Sequence, residues 1–595
     1  MSLFTTLTPD QISAKIDFIH NYIGSSNAAD GSIVDANANI AQKNVATLAQ
    51  EIHKDINIQI NRTLMYDKIS LLFGAELAQE YLRQLENHEI YKHDETQPFF
   101  PYCASITMYP FLLNGLITLG GESLAPQHLE SFCGSFVNLV FAISAQFAGA
   151  CGTPEFLMYF DYFARRDYGD NYLTSHPKTI SNHLQHVVYA LNQPAAARGY
   201  QSVFWNISIF DEYFLSSLFA DFYFPDGSQP DFSSLANLQQ YFMSWFNQER
   251  EKAVLTFPIV TAAMLTAEQS PKDKLFAYQC AEQMQNGNSF FIYMSESVDS
   301  LSSCCRLRNE LTDNTFSTTS GAGGVATGSI NVITLNMNRL IQDQRDLATE
   351  VSKIHKYHIA YRKLIEDLLN AGMLPVYSAG YINLDKQFLT IGINGMLEAA
   401  ESLGITPGNN KEYCQFMQEQ LSIIYRANQQ ARSTYGYLFN TEFVPAENLG
   451  VKNARWDKAD GYIVKRDCYN SYFYPVEDIQ VNIVDKFILH GRELIQFLDG
   501  GSALHLNTDG YLTLDGYLKL FNLAATTGCN YWTTNVKVTY CCTCKKIHKL
   551  TLKQCPSCDS TEIKYATRVI GYLKIIDNFS AERQTEENLR HYHTS

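Results

Sequence analysis

Positive charge is scarce in this chain: 45 Lys and Arg stand against 61 Asp and Glu in 595 residues, a formal net charge of −16 at pH 7. A body of that sign cannot gather a polyanion by its general field, so a phosphate-bearing ligand must be held by local donors. Charged residues of both signs make up only 18%, against 46% hydrophobic and 13% aromatic. That balance excludes an intrinsically disordered or collagen-like chain. No long Pro- or Ser-rich linker interrupts the sequence, and no repeat of roughly 20–50 residues is evident, so solenoids and propellers fall away. At about 100–200 residues per domain, the length suits several ordinary domains or one large enzyme body with appendages.

Long apolar runs are almost missing as well. Ser131 to Pro154 contains no charged residue, and its length would reach across a bilayer. It is diluted by Ser, Gly, Asn138 and Gln146, bounded by Glu130 and Glu155, and has no Lys or Arg cluster beside it. It therefore reads as a buried helix. No basic segment followed by an apolar core follows Met1, so no secretory leader is expected. The 14 cysteines are too uneven for a secreted disulfide scaffold, five of them falling between Cys541 and Cys558. They read as metal ligands and reactive thiols in a reducing compartment, the cytoplasm.

What is present is alternation. Apolar residues three and four apart run from Leu48 to about Leu85, again over 345–371 with Gly372 in stop position, and over 410–432; this is helical spacing. Between such stretches lie short β-branched or aromatic runs at 203–209, 330–336, 437–443 and 481–484. Strands alternating with helices predict an α/β protein with a parallel sheet or barrel. Near residue 535 the composition turns rich in Cys and Lys, which marks a small C-terminal module.

Within that module, Cys541-Cys-Thr-Cys544 and Cys555-Pro-Ser-Cys558 form two Cys-x-x-Cys knuckles ten residues apart. Four thiolates so spaced can occupy the corners of a tetrahedron, which predicts a structural Zn²⁺ held by Cys541, Cys544, Cys555 and Cys558. Cys542 is the expected non-ligand, although it could replace Cys541. Lys545, Lys546, His548, Lys549 and Lys553 lie between the knuckles. A nucleic-acid-binding ribbon would use such residues, but it would leave the acidic body idle, and no direct nucleic-acid binding is expected.

Beyond the knuckles comes Thr567-Arg-Val-Ile-Gly-Tyr-Leu573. An Arg-Val-x-Gly-Tyr segment there resembles the radical loop of glycyl radical enzymes. With a four-cysteine site just upstream, the chain resembles the anaerobic (class III) ribonucleotide reductases in particular. Glycine suits the task because a radical at its Cα is stabilised between amide nitrogen and carbonyl, and no side chain crowds the loop. The resemblance continues in order through Pro98-Phe-Phe-Pro-Tyr-Cys103, Asn114-Gly115, Cys304-Cys305-Arg306, Ile330 to Asn336, Pro445-Ala-Glu-Asn-Leu449, Asn470-Ser-Tyr and Asp499-Gly-Gly501. It implies a ten-stranded α/β barrel made of two five-stranded parallel halves, a central finger loop carrying the catalytic cysteine, and a small C-terminal zinc and glycyl radical module.

The roles the resemblance implies are specific. Gly571 stores the radical after a radical S-adenosylmethionine activase installs it. Cys305 matches the finger-loop cysteine and becomes the thiyl that abstracts the 3′-hydrogen, with Cys304 one position away as the alternative. Cys103 stands on the opposite face of the ribose and shares reducing equivalents with Cys305. Glu442 is placed as a general base at the 3′-hydroxyl. Where other members carry an aromatic residue and take electrons from formate, the pair Cys103 and Glu442 resembles the branch served by a thioredoxin- or glutaredoxin-like protein. Ala446, Glu447 and Asn448 belong to a substrate-binding turn expected to follow a strand and open a helix with Pro445 in its first turn, where free N–H groups cradle a triphosphate. His93 matches a block near the active site, and a histidine satisfied by the neighbouring Asp94 is the alternative. Gly321 to Gly328 lacks the endings of a nucleotide loop and is assigned as a connector into the strand at Ile330.

The expected organisation is an N-terminal extension (1–40), a catalytic barrel with N-terminal helices (41–530) and the zinc and radical module (531–595). The catalytic resemblance begins by about Asn37 to Ile40, leaving no room for the family's N-terminal nucleotide-binding regulatory module. The expected activity is anaerobic reduction of ribonucleoside triphosphates to deoxyribonucleoside triphosphates, with nucleoside triphosphate effectors and a homodimer implied. A different glycyl radical enzyme, such as a lyase, and a formate-dependent reductase are the competing readings.

Overall fold

The β-branched runs become the walls of a closed barrel, and the helical stretches become the layer around it. The computed structural model describes residues 7–32, 43–195, 200–287, 290–298, 300–303, 307–310, 326–443, 448–568 and 573–594. Its main sheet contains β1 (Cys103–Ser105), β2 (Cys151–Gly152), β3 (Trp205–Phe210), β4 (Ile259–Ala267), β5 (Phe291–Ser295), β6 (Thr327–Asn336), β7 (Gln387–Asn394), β8 (Phe439–Phe443), β9 (Leu504–Thr508) and β10 (Tyr531–Val536). Their spatial order is β8-β7-β6-β1-β2-β3-β4-β5-β10-β9.

β1 to β5 pair parallel in chain order. β6, β7 and β8 pair parallel, as do β9 and β10. The two halves meet antiparallel, β1 against β6 and β5 against β10. Closure comes from Asp499-Gly-Gly501, just ahead of β9. Glu442 bridges Gly501 in parallel fashion, Phe443 N donates to Gly501 O at 3.1 Å, and Gly500 N donates to Thr441 O at 2.8 Å. The Asp499 carboxylate accepts from Thr441 N at 2.8 Å and from Arg432 Nη2 at 2.6 Å. The result is the expected barrel of two five-stranded parallel halves.

Most connections are helical, as parallel strands require. Leu129–Ser144 joins β1 to β2, Leu347–Asn370 joins β6 to β7, and Lys411–Tyr435 joins β7 to β8. The uncharged stretch at 131–154 supplies the first of these: Phe136 packs 4.6 Å from Phe156 and 5.7 Å from Trp205, ring centre to ring centre. Among the described residues no helix is long and apolar enough to cross a membrane. The helical spacing from Leu48 to Leu85 resolves into Val45–Glu51, Lys54–Phe73 and Ala75–Glu86, the last two parted at Gly74, whose φ of 96° admits glycine most readily.

One expected strand fails. The run 481–484 is no strand: Asn482 caps the helix Ile483–Leu489 by accepting from Asp485 N at 2.9 Å. Three apolar residues and an Asn are too few to separate strand from helix by periodicity, and the cap decides. Pro445 lies outside the described residues; the helix described after β8 is Leu449–Ala459, with Asn448 at the N-cap.

Strand alternation sorts the side chains. Trp205, Ile207 and Ile209 join the hydrophobic core under the helices, as do Leu389, Ile391, Leu504 and Leu506. The residues between them, such as Asn206, Ser208, Thr390, Asn440, Glu442 and Asn507, therefore face the barrel interior. Inside runs a hairpin, Ser300–Ser303 paired with Leu307–Glu310. Its first strand approaches β3, β4 and β5 and its second approaches β6, which is possible only across the barrel centre.

β6 begins at Thr327, so Gly328 belongs to the strand and not to a connector. Its φ is 157°, and a Cβ there would lie 2.2 Å from the Cys103 carbonyl oxygen. Gly328→Ala is expected to lower stability by about 1–3 kcal/mol through this clash, read as a fall in the thermal unfolding midpoint.

Candidate active site and metal centre

Cys103 opens β1 and is buried on the barrel's inner wall, packed with Ala150, Tyr102 and Phe204. Its register partner across the joint with β6 is Ser329, whose hydroxyl pairs with that of Thr390 on β7 at 2.8 Å. Thr390 in turn is in register with Asn440 on β8. By register Ser329 stands level with Phe388 and Thr390 with Val332, so Thr390 and Asn440 lie two residues further along the wall than Ser329 and Cys103, linked to them by the Ser329–Thr390 hydroxyl pair. Glu442, buried at 8% exposure, faces the same way one step further along β8, in register with Gly392. The structure therefore places two of the expected catalytic groups on the inner face of one barrel, on strands from different halves.

His93 is buried above them. It follows the strand Ile90–Lys92, which pairs with the second part of β6, and its Nε2 pairs with the Thr334 hydroxyl at 2.8 Å. Cys305, with Cys304, lies outside the described residues, between the two strands of the internal hairpin; Ala446, Glu447 and Gly571 lie outside them too.

Asn448 stands at the start of Leu449–Ala459, and this helix is held firmly. Asp457 accepts from Asn336 Nδ2 at 2.9 Å, Arg339 Nε at 3.0 Å, Asn338 Nδ2 at 3.2 Å and Tyr469 Oη at 2.6 Å. Asn453 donates to Asn394 Oδ1 at 2.9 Å. Side chains at the ends of β6 and β7 thereby tie down the middle and last turns of this helix. Gly450 lets it sit close, since a Cβ there would lie 2.7 Å from the Tyr469 carbonyl, beside the Asn470-Ser-Tyr segment. A helix N-terminus carries the positive end of the helix dipole, which suits an anion.

The C-terminal module is a four-stranded antiparallel sheet of Val538–Cys541, Ile547–His548, Ile563–Arg568 and Leu573–Ile575. Arg568 pairs with Leu573, so residues 569–572 connect two adjacent strands. That strand pair is bonded to the barrel: Asn535 Oδ1 on β10 accepts from Thr567 Oγ1 at 2.9 Å and Arg568 N at 3.1 Å. Asn535 Nδ2 donates to Asn507 on β9 at 2.8 Å. Arg590 Nη1 donates to the Arg568 carbonyl at 3.0 Å, and Thr256 Oγ1 to that of Leu573 at 3.3 Å. Asn507 and Asn535 escaped the sequence reading; their only signal was a polar residue at an inward position of an apolar strand.

At the far side of this sheet the sulfurs of Cys541, Cys544, Cys555 and Cys558 all lie within 4.8 Å of one another. Cys541 and Cys558 are 3.6 Å apart, as are Cys544 and Cys555. A disulfide needs about 2.05 Å, whereas four sulfurs around zinc at about 2.3 Å stand about 3.8 Å apart. The donor set fits Zn²⁺, and Cys542 is not part of it. The Cys544 N–H, 3.5 Å from Cys541 Sγ, holds that thiol down to about 6, favouring the thiolate a metal needs. His548 Nε2 lies 3.2 Å from Cys555 Sγ, a second-layer contact that would orient that ligand.

The class of protein these elements define is a closed α/β barrel of two half-barrels run antiparallel to each other, with a hairpin through its centre and a buried thiol and carboxylate on its wall. The comparisons resolve the class. The family model described as anaerobic ribonucleoside-triphosphate reductase matches residues 50–593, and the chain belongs to that family. Among solved structures, one titled anaerobic ribonucleotide reductase superposes with a TM-score of 0.86 at 25% identity, over 98% of this chain and 93% of that one. The anaerobic ribonucleotide reductase from Thermotoga maritima, in complex with dATP and CTP, gives 0.82 at 25% identity, over 98% of this chain and 100% of that one. Hydroxyproline dehydratase from Clostridioides difficile, at 12% identity, TM-score 0.52 and 98% and 78% coverage, shares the fold alone. No curated protein sequence matches the chain. The activity that goes with the family is reduction of ribonucleoside triphosphates, an oxidoreductase reaction run by glycyl radical chemistry.

The wild-type chain is expected to bind one zinc, and Cys555→Ser or Cys558→Ser to lose it. Metal analysis of the purified variants checks this, and undiminished zinc in both would exclude the proposed ligand set.

Proposed function

We propose that the barrel cavity between Cys103 and Glu442 binds the ribose of a ribonucleoside triphosphate, with the radical stored on Gly571 and passed to Cys305. The observation that carries the reading is that β1 and β8 present a buried thiol and a buried carboxylate to the same interior. The hairpin strands flanking 304–306 cross that interior, and the strands flanking 569–572 are bonded to β9 and β10 through Asn507 and Asn535.

Each group then has a chemical task. The Cys305 thiyl takes the 3′-hydrogen, and Glu442 accepts the 3′-hydroxyl proton as the 2′-oxygen departs. In net terms the C2′–O bond breaks and a C2′–H bond forms. Cys103 and Cys305 pass from two thiols to one disulfide, and their two hydrogens leave in the new C–H bond and in water. The triphosphate is held at the turn containing Ala446, Glu447 and Asn448, where the N-terminus of Leu449–Ala459 supplies dipole and N–H groups without overall positive charge. His93 borders the same pocket.

A disulfide formed at each turnover must be reopened by attack of an external thiolate, so the reductant is a thioredoxin- or glutaredoxin-like protein. A radical S-adenosylmethionine activase installs the radical, and zinc at the four cysteines stiffens the sheet that carries residues 569–572. The enzyme works in the cytoplasm as a homodimer under nucleoside triphosphate effectors. The organisation proposed is an extension (1–40), a catalytic barrel (41–530) and the zinc and radical module (531–595).

Anaerobic activation should give a glycyl doublet in electron paramagnetic resonance that is missing from Gly571→Ala; a doublet persisting in that variant would overturn the radical assignment. With a reduced redoxin and a ribonucleoside triphosphate the activated enzyme should make deoxynucleotide. Cys103→Ser should keep the doublet and lose multiple turnover, and Glu442→Gln should keep it and slow turnover roughly 10²- to 10⁴-fold. Full-rate turnover on formate without a dithiol would sink the redoxin assignment and leave the reductase reading standing.

A further inference from the structure

Among the described residues, Asn440 stands out. It is fully buried, at 0% exposure, yet neither its Nδ2 nor its Oδ1 has a hydrogen-bond partner there. Buried amides are almost always satisfied, because an unmet donor and acceptor together forfeit their hydration for nothing. Its outward neighbour Thr441 is satisfied twice, by Asn428 Nδ2 at 2.8 Å and by Asp499. The deficit is therefore confined to the inward face of β8. That face is shared with Glu442, two residues along the strand, and reaches Cys103 through Thr390, in register with Asn440, whose hydroxyl pairs diagonally with that of Ser329, the register partner of Cys103.

The carboxamide is closely packed in the free protein. Gly500, in the closure segment, lies alongside it, and a Cβ there would come within 3.2 Å of Asn440 Cγ. A residue with a side chain at 500 would press on the carboxamide. Along the wall, Asn440 lies three strand spacings of about 4.8 Å each from Cys103 and two residues further along the strands.

We propose that Asn440 is a substrate-contacting residue whose carboxamide hydrogen-bonds the 2′-hydroxyl of the ribose. The inference rests on the reading that the ribose lies between Cys103 and Glu442. Glu442 is assigned to the 3′-hydroxyl; the vicinal group then falls to Asn440, the neighbouring inward residue of the same strand. A carboxamide suits that oxygen because it both donates and accepts. Nδ2 can keep donating as the hydroxyl becomes a leaving water, and no charge is added beside Glu442. The contact is made with the ribonucleotide and is missing with the 2′-deoxy product, so it also favours exchange of product for substrate.

The test uses the activated full chain at a saturating effector concentration, with Asn440→Ala and the near-isosteric Asn440→Leu. Because the amide is unbonded in the free protein, both variants should keep the wild-type unfolding midpoint and the full glycyl doublet. KM for the ribonucleoside triphosphate should rise roughly 10- to 100-fold, while the inhibition constant of the corresponding 2′-deoxy product should stay unchanged. An unchanged KM, or KM and the product constant rising together, overturns the assignment, and so does a lowered midpoint in both variants. Failure of the underlying reading is separable: Cys103→Ser and Glu442→Gln would then turn over normally, whatever Asn440 does.

Discussion

The closure of β8 against Asp499-Gly-Gly501 governs the centre of this molecule. An open sheet of these strands would expose its inward polar row to solvent and leave two edges unpaired. Here the ladder is completed by backbone bonds from Gly500 and Phe443 and by the Asp499 carboxylate on Thr441 N. Arg432, from the helix that packs behind β8, holds the carboxylate in place. One buried acid thus joins a helix, a strand and a loop, and the interior exists as a cavity because of it. Cys103, Asn440 and Glu442 owe their common environment to that closure.

Polar side chains do much of the positioning here, in places where apolar packing alone would not fix direction. Asp457 gathers four donors and sets the angle of the helix after β8. Asn507 and Asn535 hold the C-terminal strand pair against the barrel. In a dry interior such bonds are costly to break and directional, which is what a site needs when it must hold two elements at a fixed separation.

The sequence revealed some of this and hid the rest for physical reasons. The four-cysteine site was legible because two knuckles at fixed spacing have few other uses. The strands Trp205–Phe210, Thr327–Asn336 and Phe439–Phe443 announced themselves through β-branched and aromatic runs. β1 and β2 are only 3 and 2 residues long, too short for any periodicity, although Cys103 sits on one of them. The run 481–484 went the other way, because the Asn482 cap outweighed its β-branched composition. Gly328 read as part of a loose glycine stretch; that a carbonyl from β1 would occupy its missing side chain depends on a pairing no local pattern encodes. Asn440, in a run that also holds Thr441 and Glu442, carried no signal in the sequence. Its burial without partners appears only once the barrel is closed.

The way the halves are joined sets an order on folding. Within each half, parallel strands are linked through their intervening helices, so most contacts are made between chain neighbours. The joints are different: Cys103 meets Ser329, and Tyr531 meets Tyr293, over two hundred positions apart in each case. Pairings that distant close large loops and come late. The half-barrels can therefore gather first and the joints last, and the cavity that holds the chemistry is the final part of the molecule to come into being. Neither half, made alone, would contain it.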